Sequence, residues 1–161
     1  MQELKKKLGI CSTFFIRVHA NYNPFSLENY SALKKIMQMG HEIGLHIENG
    51  FTDLFNENAI KMFKRDRTIL ENIIDAKIQG VSTHEPSRTK NNIITDKNLK
   101  NLGLSYQAYS PIFVKNFKYI SDSGNHWREG CMCEFIKNGS PKLCILTHPI
   151  WWYDKSSLER Y

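Results

Sequence analysis

The segment Gly40-His41-Glu42-Ile43-Gly44-Leu45-His46 constrains this chain more than any other, because it carries a histidine along a short apolar strand directly after a helix. Leu27, Tyr30, Leu33, Ile36 and Met37 recur at helical spacing ahead of it. Ser26 precedes them as an N-cap whose hydroxyl can accept an orphan backbone N–H, and Gly40 follows as the residue that tolerates the left-handed turn ending a helix. His46 therefore falls at the carboxyl end of the next strand. In parallel α/β arrangements that end collects binding and catalytic groups.

A second unit of this kind lies near the C-terminus. Leu143-Cys144-Ile145-Leu146 reads as a buried strand, and Pro149 stops it just past His148, since proline cannot donate to a ladder and biases the residue before it. Between the two units, Ile60, Phe63, Leu70 and Ile74 mark one face of a helix over residues 56–76, with Asn56 as its cap. Residues 12–18, 80–84, 104–109 and 118–121 read as further strands, and Met1, Leu4 and Leu8 share a helical face before Gly9. Alternating helices and short buried strands predict a mainly parallel α/β fold. With 161 residues, no repeat, no low-complexity tract and no linker, a single domain over 1–161 is expected.

Charge and cysteine usage narrow the function classes. The formal charge of +6 favours anionic partners. However, Lys5-Lys6-Lys7 and Lys61, Lys64, Arg65 and Arg67 sit in helix-like segments that read as solvated faces. No interleaved aromatic and basic module is present, so nucleic acid is not an expected partner. Nor does any apolar run reach membrane length or resemble a leader, so no membrane partner is expected. Cys11, Cys131, Cys133 and Cys144 fit reduced thiols of a cytoplasmic protein. Cys131-Met132-Cys133 lacks the second pair that a structural zinc module needs.

His46 and His148, each closing a buried strand, make the chain resemble the polysaccharide deacetylase superfamily, the metal-dependent de-N-acetylases and relatives grouped as carbohydrate esterase family 4, over most of its length. The resemblance implies a (β/α) barrel whose first strand carries an aspartate pair, one supplying the catalytic base and one a metal ligand. That pair would lie upstream of Met1. The expected architecture is thus an incomplete or distorted (β/α) barrel with its first strand missing: a truncated frame, a fragment, or a protein completed by another chain.

In the superfamily's His-x-x-x-His motif the first histidine binds metal, and His46 matches it, being followed by Ile47-Glu48-Asn49. Gly50 stands where the second histidine would be. Val81-Ser82-Thr83-His84-Glu85-Pro86-Ser87-Arg88 resembles the Ser-x-His-x-Pro segment of a bacterial surface-polysaccharide branch, which nominates His84 as the replacement ligand. Leu146-Thr147-His148 matches the Leu-x-His motif, where the histidine is the general acid, and Asp122 corresponds to the late aspartate that orients it. Trp127, Arg128, Trp151 and Trp152 are the expected substrate-binding residues. His41 and Glu42 are expected to face away from the site, and His19 toward it.

Removing an acetyl group from an amide needs a polarised carbonyl, an activated water and a proton for the departing amine. A divalent metal supplies the first two, and imidazole ligands suit zinc first, with cobalt or nickel as alternatives. Histidine, which titrates near neutrality, suits the third. The expected function is metal-dependent de-N-acetylation of an N-acetylated sugar or polysaccharide precursor in surface polysaccharide metabolism. Absence of a catalytic base typically costs about two to four orders of magnitude, so this chain is expected to be weak or inactive. The alternative is a non-catalytic carbohydrate- or partner-binding remnant. A metal-dependent phosphoesterase would need more carboxylates than the strand ends offer. The strand over 12–18, lacking a neighbour, is expected to promote self-association.

Overall fold

The computed structural model describes residues 9–48, 58–84 and 93–152. The chain divides into two compact units, Met1–Ala108 and Tyr109–Tyr161. The predicted helical face of Met1, Leu4 and Leu8, Gly50 and the segment from Glu85 to Arg88 lie outside the described residues.

In the first unit, β1 (Thr13–Ile16), β2 (Glu42–Ile47), β3 (Gly80–Thr83) and β4 (Tyr106–Gln107) form one parallel sheet in that order. Helix α1 (Leu27–Gln38) connects β1 to β2, and α2 (Ala59–Ile74) lies between β2 and β3. All four residues of β3 are buried, as a parallel strand covered on both faces requires. Leu33 and Ile36 of α1, Ile43, Leu45 and Ile47 of β2, Phe63, Leu70 and Ile74 of α2, and Val81 of β3 share one apolar core.

The ends of α1 follow the sequence reading. Ser26 Oγ accepts the Asn29 N–H at 3.3 Å, and Gly40 takes φ +80°. For α2 the cap shifts: Asn58, not Asn56, accepts the Ile60 and Lys61 N–H groups at 3.0 and 3.1 Å. Asn56 itself lies outside the described residues. Arg67 fastens α2 to the segments leading into β3 and β4, donating to the carbonyls of Ile78, Leu102 and Gly103 while pairing with Glu71. At the amino ends of the strands, Glu42 accepts from Thr13 Oγ1 at 2.9 Å and Tyr106 Oη at 2.6 Å. Burial and the adjacent Glu42 push the Tyr106 hydroxyl well above its ordinary range.

The second unit contains α3 (Pro111–Val114), β5 (Lys118–Ser121), α4 (Met132–Lys137), β6 (Leu143–Leu146) and a 3-10 turn over Pro149–Trp151. β5 and β6 pair in parallel from Lys118 with Leu143 through Ser121 with Leu146. β6 is less buried than its apolar sequence predicts, Ile145 remaining 39% exposed. Its only sheet partner among the described residues is β5, so fewer elements cover it. Among the described residues the strands form a four-stranded and a two-stranded sheet and no closed barrel.

Two further observations bear on the sequence reading. Cys131 and Cys133 are joined in a disulfide, whereas four reduced thiols were expected; separation by a single residue at the start of α4 brings their Cα atoms to 5.3 Å. Among the described residues no helix is long and apolar enough to cross a membrane.

Candidate functional site

The carboxyl ends of three neighbouring strands in the first unit carry Arg17, His46, Glu48 and His84. His46 is the penultimate residue of β2 and lies in register with Ser82 of β3. His84 follows β3, and its backbone N–H donates to Ile47 O at 2.8 Å, so the ladder itself fixes where the imidazole begins. The two rings meet edge to face with centroids 5.3 Å apart.

Glu48 organises this pair. One carboxylate oxygen bonds His84 Nδ1 at 2.9 Å, and the other accepts from the guanidinium Nε of Arg17 in a close ion pair. An ionised carboxylate only accepts, so Nδ1 of His84 is the donor in this bond, and the ring is oriented with Nε2 on its other side. The Arg17 backbone N–H in turn donates to Tyr22 Oη at 3.1 Å. Burial raises the Tyr22 hydroxyl above its ordinary range despite the nearby Arg17.

Two imidazoles are a chemically apt start for a zinc, cobalt or nickel site, and a carboxylate fixing the second ring nitrogen is the usual support for such a ligand. A catalytic zinc site normally takes three protein ligands. Among the described residues no group of three His, Cys, Asp or Glu side chains is placed to hold an ion. The donor set therefore fits only part of a catalytic centre.

The other histidines of this unit have separate placements. His19 Nε2 bonds Asp66 Oδ2 of α2 at 2.9 Å, which ties it to the helix; the sequence had pointed it toward the site. His41 is buried against Phe14, ahead of β2 and at the opposite end of that strand from His46.

In the second unit Asp122 follows β5, where its N–H continues the ladder to Leu146 O. It is only 2% exposed. Three donors converge on its carboxylate: the His148 backbone N–H at 3.0 Å to each oxygen, His148 Nδ1 at 2.6 Å, and Trp152 Nε1 at 2.9 Å. Pro149 places the 3-10 turn immediately after His148, which brings Trp152 back over the same carboxylate. The His148 side chain remains 41% exposed, so a ring fixed at Nδ1 presents Nε2 outward.

The loop after β5 reverses through Gly124 and Asn125, both with positive φ. It is held by Glu129 accepting the Ser121 N–H. This brings Trp127 edge to face with Trp152, at 6.3 Å between centroids. Arg128 is exposed in the same loop, and Trp151 buries its indole nitrogen without a hydrogen-bond partner among the described residues. Of the two consecutive tryptophans, Trp152 bonds the His–Asp pair. Tyr119 on β5 is pushed up to about 12 by burial and neighbouring Tyr109.

Comparison with solved structures decides the fold. The chain superposes on a CE4 family pseudoenzyme of Bacillus anthracis with TM-score 0.52 and 17% identity, covering 92% of this chain and 48% of that one. A variant of the pseudoenzyme BA3943, described as having restored enzymatic activity, aligns at TM-score 0.56 and 16% identity, over 92% of this chain and 50% of that one. The chain shares its fold with about half of each of these CE4 structures. A further BA3943 variant agrees at TM-score 0.51 and 15% identity. The present chain spans about half the length of these CE4 chains. No protein-family model matches the sequence, and no curated protein matches it.

The sequence had nominated His46, His84, Asp122, His148, Trp127, Arg128, Trp151 and Trp152. It passed over Arg17 and Glu48. The signal for Glu48 was present, because His46 and Glu48 are two apart and side chains at that spacing share one face of a strand. Arg17 had no comparable signal; only the β1–β2 register brings it to Glu48.

Proposed function

We propose that this chain is a CE4-type de-N-acetylase domain for an N-acetylated sugar of a surface polysaccharide or its precursor, with an assembled proton-transfer pair and a reduced metal centre, so that hydrolysis is slow. The observation that carries the reading is the buried Asp122 carboxylate holding His148 through Nδ1. That bond fixes the tautomer and leaves Nε2 outward to hold a proton and pass it to the departing amine. Trp127 and Trp152 offer an apolar edge for a sugar face, Trp151 adds bulk behind it, and Arg128 supplies a charge for hydroxyl or acyl oxygens.

In the first unit, His46 and His84 would hold a divalent ion, zinc in preference to cobalt or nickel, with Glu48 orienting His84. When bound, such an ion supplies Lewis acidity toward an acyl oxygen and acidifies water. Two imidazoles without a third protein ligand imply weak retention. The solved CE4 pseudoenzymes support a silent or slow reading, and the variant with restored activity is compatible with a small change separating the two states.

The test is acetate release from an N-acetylglucosamine oligosaccharide by the full chain, with and without added zinc or cobalt. Slow, metal-stimulated release that falls about 10²- to 10⁴-fold in His148→Ala is expected. Release unaffected by that substitution would refute the acid role. The second reading, a non-catalytic sugar-binding domain, is favoured by the half-exposed Trp152 beside Trp127. Tryptophan quenching by the sugar without any acetate release would decide for it.

A further inference from the structure

We propose that Cys131 and Cys133 form a reversible dithiol–disulfide site that exchanges with low-molecular-weight thiols of the glutathione type. The two residues are bridged across Met132 alone, with Cα atoms 5.3 Å apart, a separation a disulfide spans without backbone movement. So short a loop removes little freedom from the unfolded chain and joins no distant parts of the fold, so the bridge has little structural role to keep it closed. Both cysteines are exposed. An attacking thiolate therefore reaches the bridge without unfolding the protein.

The local geometry also selects a leaving sulfur. Cys131 Sγ accepts the backbone N–H of Cys133 at 3.4 Å, so a thiolate released there enters an existing hydrogen bond. Attack at Cys133 Sγ by a small thiolate breaks the S–S bond, forms a mixed disulfide on Cys133 and frees Cys131 as thiolate. A second small thiolate attacks the sulfur of the bound small thiol and releases Cys133 thiolate together with the oxidised small-molecule disulfide. The two protein thiolates take up the protons of the two small thiols, and two electrons pass to the protein. Cys11 and Cys144 stand apart as free thiols, and burial raises the Cys144 thiol, which lowers its reactivity.

The site adjoins the loop that carries Trp127. Gly130 donates to Trp127 O at 3.2 Å, and the bridge begins at the following residue. Opening it releases the backbone on the far side of that turn.

The experiment equilibrates the native full chain in buffers of varied reduced-to-oxidised glutathione ratio, alkylates it and weighs the tryptic peptide 129–137, which contains both sulfurs. A reversible two-state conversion between doubly alkylated and internally bridged peptide is expected. The Cys131→Ser chain, which lacks the thiolate that would close the bridge again, should instead accumulate a glutathione adduct at Cys133. A peptide doubly alkylated at every ratio would overturn the proposal. So would a bridge that resists excess reduced glutathione until the chain is denatured, or a Cys131→Ser chain that takes up no glutathione.

Discussion

Replacing Asp122 by asparagine isolates the interaction on which the proton-transfer reading rests. The substitution keeps shape but removes the charge and turns one acceptor into a donor. If the amide nitrogen takes the Oδ2 position, it faces Trp152 Nε1, and two donors meet in a site that is 2% exposed. If it takes the Oδ1 position, it faces His148 Nδ1, and the imidazole must move its proton to Nε2 to accept there. Either arrangement loses one charge-assisted bond, about 1.5–3 kcal/mol, and the first also strands a buried donor. We expect a destabilisation of about 2–3 kcal/mol, which is a large share of a small unit's stability.

Urea unfolding followed by tryptophan fluorescence is the appropriate assay, because Trp127, Trp151 and Trp152 all lie in the second unit and report on it selectively. At a slope of about 2 kcal/mol per molar, the midpoint should fall by about 1–1.5 M. Trp152→Phe, which removes one of the three donors, should lose about 1 kcal/mol and leave His148 on its carboxylate. An Asp122→Asn chain within about 0.5 kcal/mol of the parent would show that the convergence on Asp122 stores little energy and would refute the reasoning.

Glu48→Gln should weaken zinc or cobalt binding about 10- to 100-fold by calorimetry, because the amide no longer fixes the His84 tautomer through a charged acceptor. Glu71 is held below the ordinary carboxyl range: burial works to raise it, but the Ile78 N–H together with Lys77 and Arg67 outweighs that. Its stabilising contribution is therefore present above the unfolded carboxyl range and lost as pH falls through the folded value. Glu71→Gln should cost about 1 kcal/mol at neutral pH and flatten the acid limb of a stability–pH curve. Gly80→Ala should cost about 2–3 kcal/mol in thermal melts, since the added Cβ runs into the Tyr106 ring, whose hydroxyl is committed to Glu42 and Thr13.

What the sequence determined by itself was local. The 3.6-residue spacing of Leu33, Ile36 and Met37, the Ser26 hydroxyl and Gly40 are enough to start and stop α1. Proline after His148 is enough to end β6. Those signals act over a few residues and placed His46 and His148 at strand ends. Even locally there was a limit: the cap of α2 was expected at Asn56, whereas Asn58 accepts the first N–H groups of the helix.

The tertiary structure alone decided which groups meet. Glu48 reaches Arg17 across 31 positions and His84 across 36, through strand register that hydropathy does not encode. Asp122 gathers His148 and Trp152 from 26 and 30 residues away because β5 and β6 pair in parallel and a 3-10 turn folds back after Pro149. Apolar residues in β6 stayed half-exposed, since burial depends on how many elements cover a strand as well as on its own side chains. Short-range sterics and capping set the elements; long-range pairing converted isolated histidines into oriented ones.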